Sequence, residues 1–274
     1  MKGKRKMLPT RGVGWKYDLP PHDIAPAQRE VCLASNLKIN RAGRIFIEFP
    51  RSSVSVRGIS FFGGLIILIY TMVFIVPDIF TSLLDDWQSG IEITTLGLMI
   101  VTLSTWAFFP LFRMDLRLPR DEPIRFNRAR QKVYFYEYRF DRLYPFGSKG
   151  WGVHPVAYDW ADLTAEVYRV YAPMGYGGLI ENVMISVRKT GTEEVIERLF
   201  LCDDIEHGKQ YWALARLYMQ RGYDALPDSI SALQDQKVGN GLNPMRYLAP
   251  KVRWPAEIDL ESRSAPTTGS LLNR

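Results

Sequence analysis

Two uncharged apolar runs, GISFFGGLIILIYTMVFIV (Gly58 to Val76) and ITTLGLMIVTLSTWAFFPLF (Ile93 to Phe112), restrict what this chain can become. A helix rises about 1.5 Å per residue, so each run is long enough to cross a hydrocarbon layer of about 30 Å. A two-helix transmembrane hairpin is therefore expected over 58–112, with helices near 58–76 and 93–112. Neither run contains Asp, Glu, Lys, Arg or His. An autonomous transporter would need such groups for a proton relay or ion site, so that class is disfavoured. Gly63 and Gly64 leave room for a neighbouring helix, while Trp87, Trp106, Phe108 and Phe109 suit the interfacial layer.

Charge around the runs gives an orientation. The link PDIFTSLLDDWQSGIE carries Asp78, Asp85, Asp86 and Glu92 and no Lys or Arg; Arg51 and Arg57 precede the first run, and Arg113, Arg117 and Arg120 follow the second. The positive-inside bias then puts both flanks in the cytoplasm and the acidic link outside. The first apolar run begins only after a long polar segment, which favours a retained anchor over a cleaved signal. The formal net charge of +6 resides on the flanks. Cys32 and Cys202 lie far apart without a CxxC pattern, so reduced cysteines are expected.

Residues 1–30, with Lys2, Lys4, Arg5, Lys6, Arg11 and Lys16 followed by Pro20, Pro21 and Pro26, read as a basic flexible segment and an extended linker near anionic headgroups. The adjacent membrane disfavours a nucleic-acid arm. A short β segment is expected over 31–57, turning at Asn40 to Gly43; its IFIEF stretch either closes a local hairpin or adds a strand to the later domain. Over 113–254 the alternation predicts a basic hairpin from Ile124 to Arg139 with its second strand near Val133 to Tyr138, a loop rich in turn formers, and strands near 156–160, 163–170, 179–189 and 193–202. Trp160, Tyr168, Val183, Ile185, Val187, Ile196 and Leu199 are the expected core. Asp203 as cap, Glu206 three residues on, and Ile205, Trp212, Ala215 and Met219 with Leu214 and Tyr218 predict a helix from Asp204 to Arg221, ended by Gly222. Residues 255–274 are expected to be a loose tail. The fold class is α+β: a transmembrane hairpin followed by an antiparallel β domain with a C-terminal packing helix.

His22, His154 and His207 lack the spacing of a zinc site, and GYGGL at Gly175 to Leu179 lacks the Lys-Ser/Thr of a phosphate loop. No catalytic residue, cofactor or metal is expected. The enzyme alternative is a cluster of Cys202, His207 and Asp203 or Asp204, though a strand end followed by a helix cap accounts for these residues with less machinery. Candidate contacts with a protein partner or with anionic phospholipid headgroups are Arg125, Arg128, Arg130 and Lys132 on the basic hairpin, Tyr144 and Trp151 in the aromatic loop, and Asp85 and Asp86 in the acidic link.

The order FNRARQKVYFYEYR, YDW, ENVMISVRK, EEVIERLFLC and EHGKQYWALARLYMQRG, over roughly residues 30 to 250, resembles the DUF6708-type family of proteobacterial membrane proteins. Members are similar to proteins some of which are found near type VI secretion and Rhs or VgrG effector genes, so the resemblance implies a role in interbacterial competition. The implied functions are an inner-membrane immunity protein that neutralises a toxin, or an accessory adaptor for an effector; a lipid-binding scaffold is a third option from the basic segments. The strand set and long helix also resemble the outline of bacterial pleckstrin-homology-like domains, an outline that does not by itself establish lipid binding.

Overall fold

The computed structural model describes residues 8–27, 30, 37–51, 58–85, 87–141, 143–144, 146–147, 150–172, 178–227 and 249–266. The apolar segment forms α1 (Ile59–Tyr70), a π-helical turn (Thr71–Ile75), α2 (Val76–Asp85) and α3 (Trp87–Arg117). Phe61–Ser82 and Gly90–Arg117 are long and apolar enough to cross a membrane, and few of their residues are buried. The helices run through most of the expected acidic link, leaving only position 86 between them. Before Gly90 that link holds no glycine, and its one proline, Pro77, lies in the first turn of α2. Pro77 has no N–H to donate, and the π turn just before it is where the helix absorbs the missing bond, with Val76 N reaching Thr71 O. The helices pack closely: a Cβ at Gly97 would come within 2.8 Å of Ile79 Cδ1. At the other end the Asp115 carboxylate accepts the Phe61 N–H at 3.0 Å, and the Phe61 and Phe112 rings stack at 5.1 Å.

The flanks of the hairpin are zipped together. β2 (Arg41–Ala42) pairs with β3 (Phe46–Phe49), and β3 pairs antiparallel with β4 (Ile124–Asn127), Phe46 opposite Asn127 and Phe49 opposite Ile124. IFIEF thus closes a local hairpin and also adds a strand to the later domain. β5 (Lys132–Phe135) and β8 (Val156–Asp159) complete this sheet, in the order β2-β3-β4-β5-β8. A two-stranded ribbon, β6 (Tyr138–Arg139) with β7 (Gly152–Val153), brackets the aromatic loop. The second sheet has the order β1-β9-β10-β11, from β1 (Trp15–Asp18), β9 (Leu163–Ala172), β10 (Gly178–Arg188) and β11 (Val195–Cys202).

α4 (Ile205–Arg221) covers the core between the sheets. Its cap is Asp204, whose carboxylate accepts the His207 N–H at 2.7 Å, one residue later than Asp203, where the cap was expected. Gly222 ends it with φ +92°, a conformation only glycine adopts without strain. The amphipathic stripe holds: Trp212, Leu214, Ala215, Tyr218 and Met219 are buried, with Ile205. A chain of rings joins sheet to helix, Phe49 to Phe126 at 5.3 Å, Phe126 to Trp160 at 5.8 Å and Trp160 to Trp212 at 5.0 Å. The expected core residues are buried, Ile196 only partly. At Gly208 a Cβ would fall 2.4 Å from Val183 Cγ2, so the helix meets β10 at a glycine.

The N-terminal segment, expected to be flexible, is a strap over its described length. Leu8 bridges to Val195, Arg198 donates to the carbonyls of Pro9 and Thr10, and the Gly14 carbonyl accepts the Arg169 N–H. The proline-rich stretch offers few N–H donors, but its carbonyls accept: Trp212 Nε1 donates to Pro20 O, Arg216 Nη1 to Ile24 O and Gln220 Nε2 to His22 O. The tail is not loose from the start either, because α5 (Ala256–Arg263) docks on β4. Residues 1–7, Cys32, Arg57 and 267–274 lie outside the described residues.

Candidate functional site

Arg125, Arg128, Arg130 and Lys132 of the β4–β5 hairpin, candidate contacts for a protein partner or lipid headgroups, do not make one exposed patch. Arg125 is 3% exposed. Its Nε donates to Glu48, its Nη1 to Asp259 at 2.7 Å and to Ser262 Oγ at 2.8 Å, and its guanidinium lies 4.4 Å from the Trp254 ring. This arginine ties α5 to the sheet and presents nothing to lipid. Arg130 reaches Ser264 O at 3.0 Å and Ala265 O at 3.2 Å. Arg128 turns the other way, its Nη2 3.4 Å from the Gln220 carbonyl at the C-terminal end of α4, where the helix dipole favours a cation. Lys132 is half-buried on β5. The hairpin is thus a docking point for the chain's own C-terminal helix.

The aromatic loop holds together with the apolar helix α3 instead. Trp151 Nε1 donates to the Tyr144 carbonyl at 3.2 Å, the Arg113 guanidinium sits 4.3 Å over the Trp151 ring, and Arg113 Nη1 donates to Gly147 O at 2.7 Å. The Phe146 and Phe109 rings lie 4.4 Å apart. Tyr144 itself is exposed. Asp85 ends α2, and Asp86 lies outside the described residues.

Two features were not foreseen. One is a buried polar junction where the hairpin flanks meet the sheets. Arg51 follows β3 and is 5% exposed; it donates to three carbonyls, Glu122 O at 3.1 Å, Tyr136 O at 3.0 Å and Phe200 O at 2.9 Å. Its backbone N–H donates to the Asp121 carboxylate, which also takes Asn40 Nδ2 and the Glu122 N–H. Burial nevertheless pushes Asp121 up from the usual carboxylate range. Glu137, 3.8 Å from Arg51, is raised in the same way, with Arg51 opposing the shift. A carboxyl raised in the folded state takes up its proton at a higher pH than in the unfolded chain. Glu137 therefore contributes stability that is absent near neutral pH and grows as pH falls through its folded value toward the unfolded value of about 4.5. Thermal unfolding in detergent at pH 7 and pH 5 should show Glu137→Gln with a smaller gain, or larger loss, on acidification than the parent. An unchanged difference between the two pH values would rule the assignment out.

The other is a groove between the strap and α4. Tyr17, Asp18, Leu19, Pro20, Glu30, Glu206, Lys209, Gln210, Trp212 and Arg216 line a cleft of about 310 Å³. A second cleft of about 330 Å³ shares Tyr17, Glu206 and Lys209 with it and extends past Arg169 and Glu181. Most of the charges are paired, Lys209 with Glu206 at 2.6 Å, Arg216 with Glu30 at 2.8 Å, and Arg169 with Glu181, while Asp18 accepts Trp15 Nε1 at 2.8 Å. Burial lowers the Arg216 pKa, opposed by Glu30, and its Nε has no hydrogen-bond partner. Such a groove, apolar at Leu19, Pro20 and Trp212 and carrying three carboxylates against two cations, matches a polypeptide better than a polyphosphate. No local pattern foretold it, because its walls come from segments nearly 200 residues apart.

Cys202 and His207 line neither cleft. His207 Nδ1 is 3.1 Å from the Asp204 carboxylate that caps its helix, and burial raises the Cys202 thiol, which disfavours the thiolate. Among the described residues no cluster of three His, Cys, Asp or Glu could hold a metal ion. A family model described as a family of unknown function (DUF6708) matches residues 101–266, from within α3 through α5. No curated protein and no solved structure matches the chain.

Proposed function

The chain belongs to the DUF6708 family, and we propose that it is a protein-binding module anchored in the bacterial inner membrane, which neutralises a secreted antibacterial toxin by direct binding. The observation that carries this is the partly apolar groove with its rim of ion pairs between strap and α4, a surface suited to a peptide segment, on a domain fastened to two apolar helices. The hairpin flanks meet at one end through the β3–β4 pairing and the Phe61–Asp115 contact, so the domain has a single side. Arginines mark that end and acidic residues the other, which supports cytoplasmic termini. Occluding a toxin needs complementary surface and no reacting group.

The test is survival under attack. Cells deleted for this gene should be killed by a competitor that delivers the cognate toxin and be rescued by the intact chain. The double variant Tyr17→Ala, Lys209→Glu changes two groove residues that are partly exposed, and should lose rescue at normal protein level and unchanged melting temperature. Full rescue by that variant would remove the groove from the proposal. A deletion that weakens attack while leaving defence intact would favour the effector adaptor.

A further inference from the structure

We propose that the C-terminal end of α3 and the aromatic loop form a binding site for one anionic phospholipid of the bilayer in which the helices sit, with Arg117 on the phosphate. Phe109, Phe112, Arg113, Leu116, Arg117 and Phe146 surround an open groove of about 340 Å³. The five helical positions recur at intervals of three and four residues, so they form one stripe, apolar at 109 and 112 and basic at 117. From Phe109 to Arg117 the helix rises about 12 Å, the depth over which a lipid passes from acyl chain to headgroup.

The two arginines have different tasks. Arg113 is held by the loop, through the Gly147 carbonyl and the Trp151 ring, and positions one wall. Arg117, one turn further on, is exposed and forms no ion pair among the described residues. Both cations act on Tyr138, which places them at the same edge of the domain. The opposite wall is also unusual for a surface in water: Leu143, Tyr144 and Phe146 are each more than two-thirds exposed, although Phe146 stacks on Phe109 of the apolar helix. Such a cluster beside a membrane helix is stabilised by entering the interfacial layer. A guanidinium at that depth matches a phosphate with paired donors, and positive charge there selects anionic over zwitterionic lipid.

The proposal rests on the helices being membrane spans, and the experiment separates the two. Resistance to extraction from membranes by alkaline carbonate tests the span alone; release into the supernatant would overturn both ideas. Full-length protein that stays integral is then placed in nanodiscs of phosphatidylcholine with or without phosphatidylglycerol. The expected result is one phosphatidylglycerol retained per chain in native mass spectrometry and a higher melting temperature in the anionic discs. Arg117→Gln should weaken that retention about fivefold, the effect of one basic side chain near an anionic surface, with Arg117→Lys intermediate. Its melting temperature in phosphatidylcholine alone should equal the parent's. Equal retention of the two lipids, retention indifferent to Arg117→Gln, or the same stabilisation by inorganic phosphate in phosphatidylcholine discs would each overturn the site while leaving the anchor intact.

Discussion

Arg51→Met is expected to destabilise the domain by about 3–5 kcal/mol, the usual effect of removing one partner from a buried charged network. The arginine is 5% exposed, and its donors end on carbonyls from three places in the chain, at Glu122, Tyr136 and Phe200. A methionine fills similar volume but donates nothing, so those carbonyls and the nearby Glu137 carboxylate lose a partner where water has little access. Because Arg51 lies between β3 and α1, the loss also loosens the junction that fixes the hairpin to the sheets. Chemical unfolding in detergent should show the lower midpoint, and protease should cut sooner near residue 120. A variant within about 1 kcal/mol of the parent would mean that the network is solvated and contributes little.

Trp212→Ala should have an effect of similar size, about 3–5 kcal/mol for truncating a buried tryptophan. Its ring is 1% exposed, sits 5.0 Å from Trp160, and sends Nε1 to the Pro20 carbonyl at 2.8 Å. The substitution leaves a cavity in the core and frees the strap, so the β1 edge and the groove lose their shared wall. Trp212→Phe keeps most of the apolar contact and loses the hydrogen bond, and should cost about 1 kcal/mol in comparison. Hydrogen exchange separates the two consequences: amides of 15–19 should lose protection in both variants, and those of α4 only in the alanine variant. Unchanged protection in the strap would show that Trp212 supports the core without holding the N-terminal segment.

The elements that sequence alone disclosed share a physical origin. The two long apolar runs, the stripe of α4 and the alternation of β9, β10 and β11 are periodic, and a period is a relation among covalent neighbours. Gly222 as a helix stop is local too, since its φ of +92° excludes other residues cheaply. The extent of the hairpin helices is less legible: acidic residues suggest a loop, although Asp can ride a helix end and nothing before Gly90 stops one. Among the candidate contacts, Tyr144 and Trp151 do come together with α3 through Arg113, whereas Arg125 and Arg130 turn to the C-terminal helix and its end, and Arg128 to the end of α4.

Arg125 shows why. On a strand of alternating residues it looks like a solvated cation, and the carboxylate and ring that bury it, Asp259 and Trp254, arrive about 130 residues later. The strap is similar, because prolines mark it as irregular while the carbonyls that fasten it to Trp212, Arg216 and Gln220 carry no sequence signal at all. Hydrophobic length and periodicity thus identified two long apolar helices, a strand-rich domain and its covering helix directly from the order of residues. Which charges are neutralised, which termini are tied down and where a groove opens depended on groups that only folding brings within 3 or 4 Å, the range over which hydrogen bonds and ion pairs act.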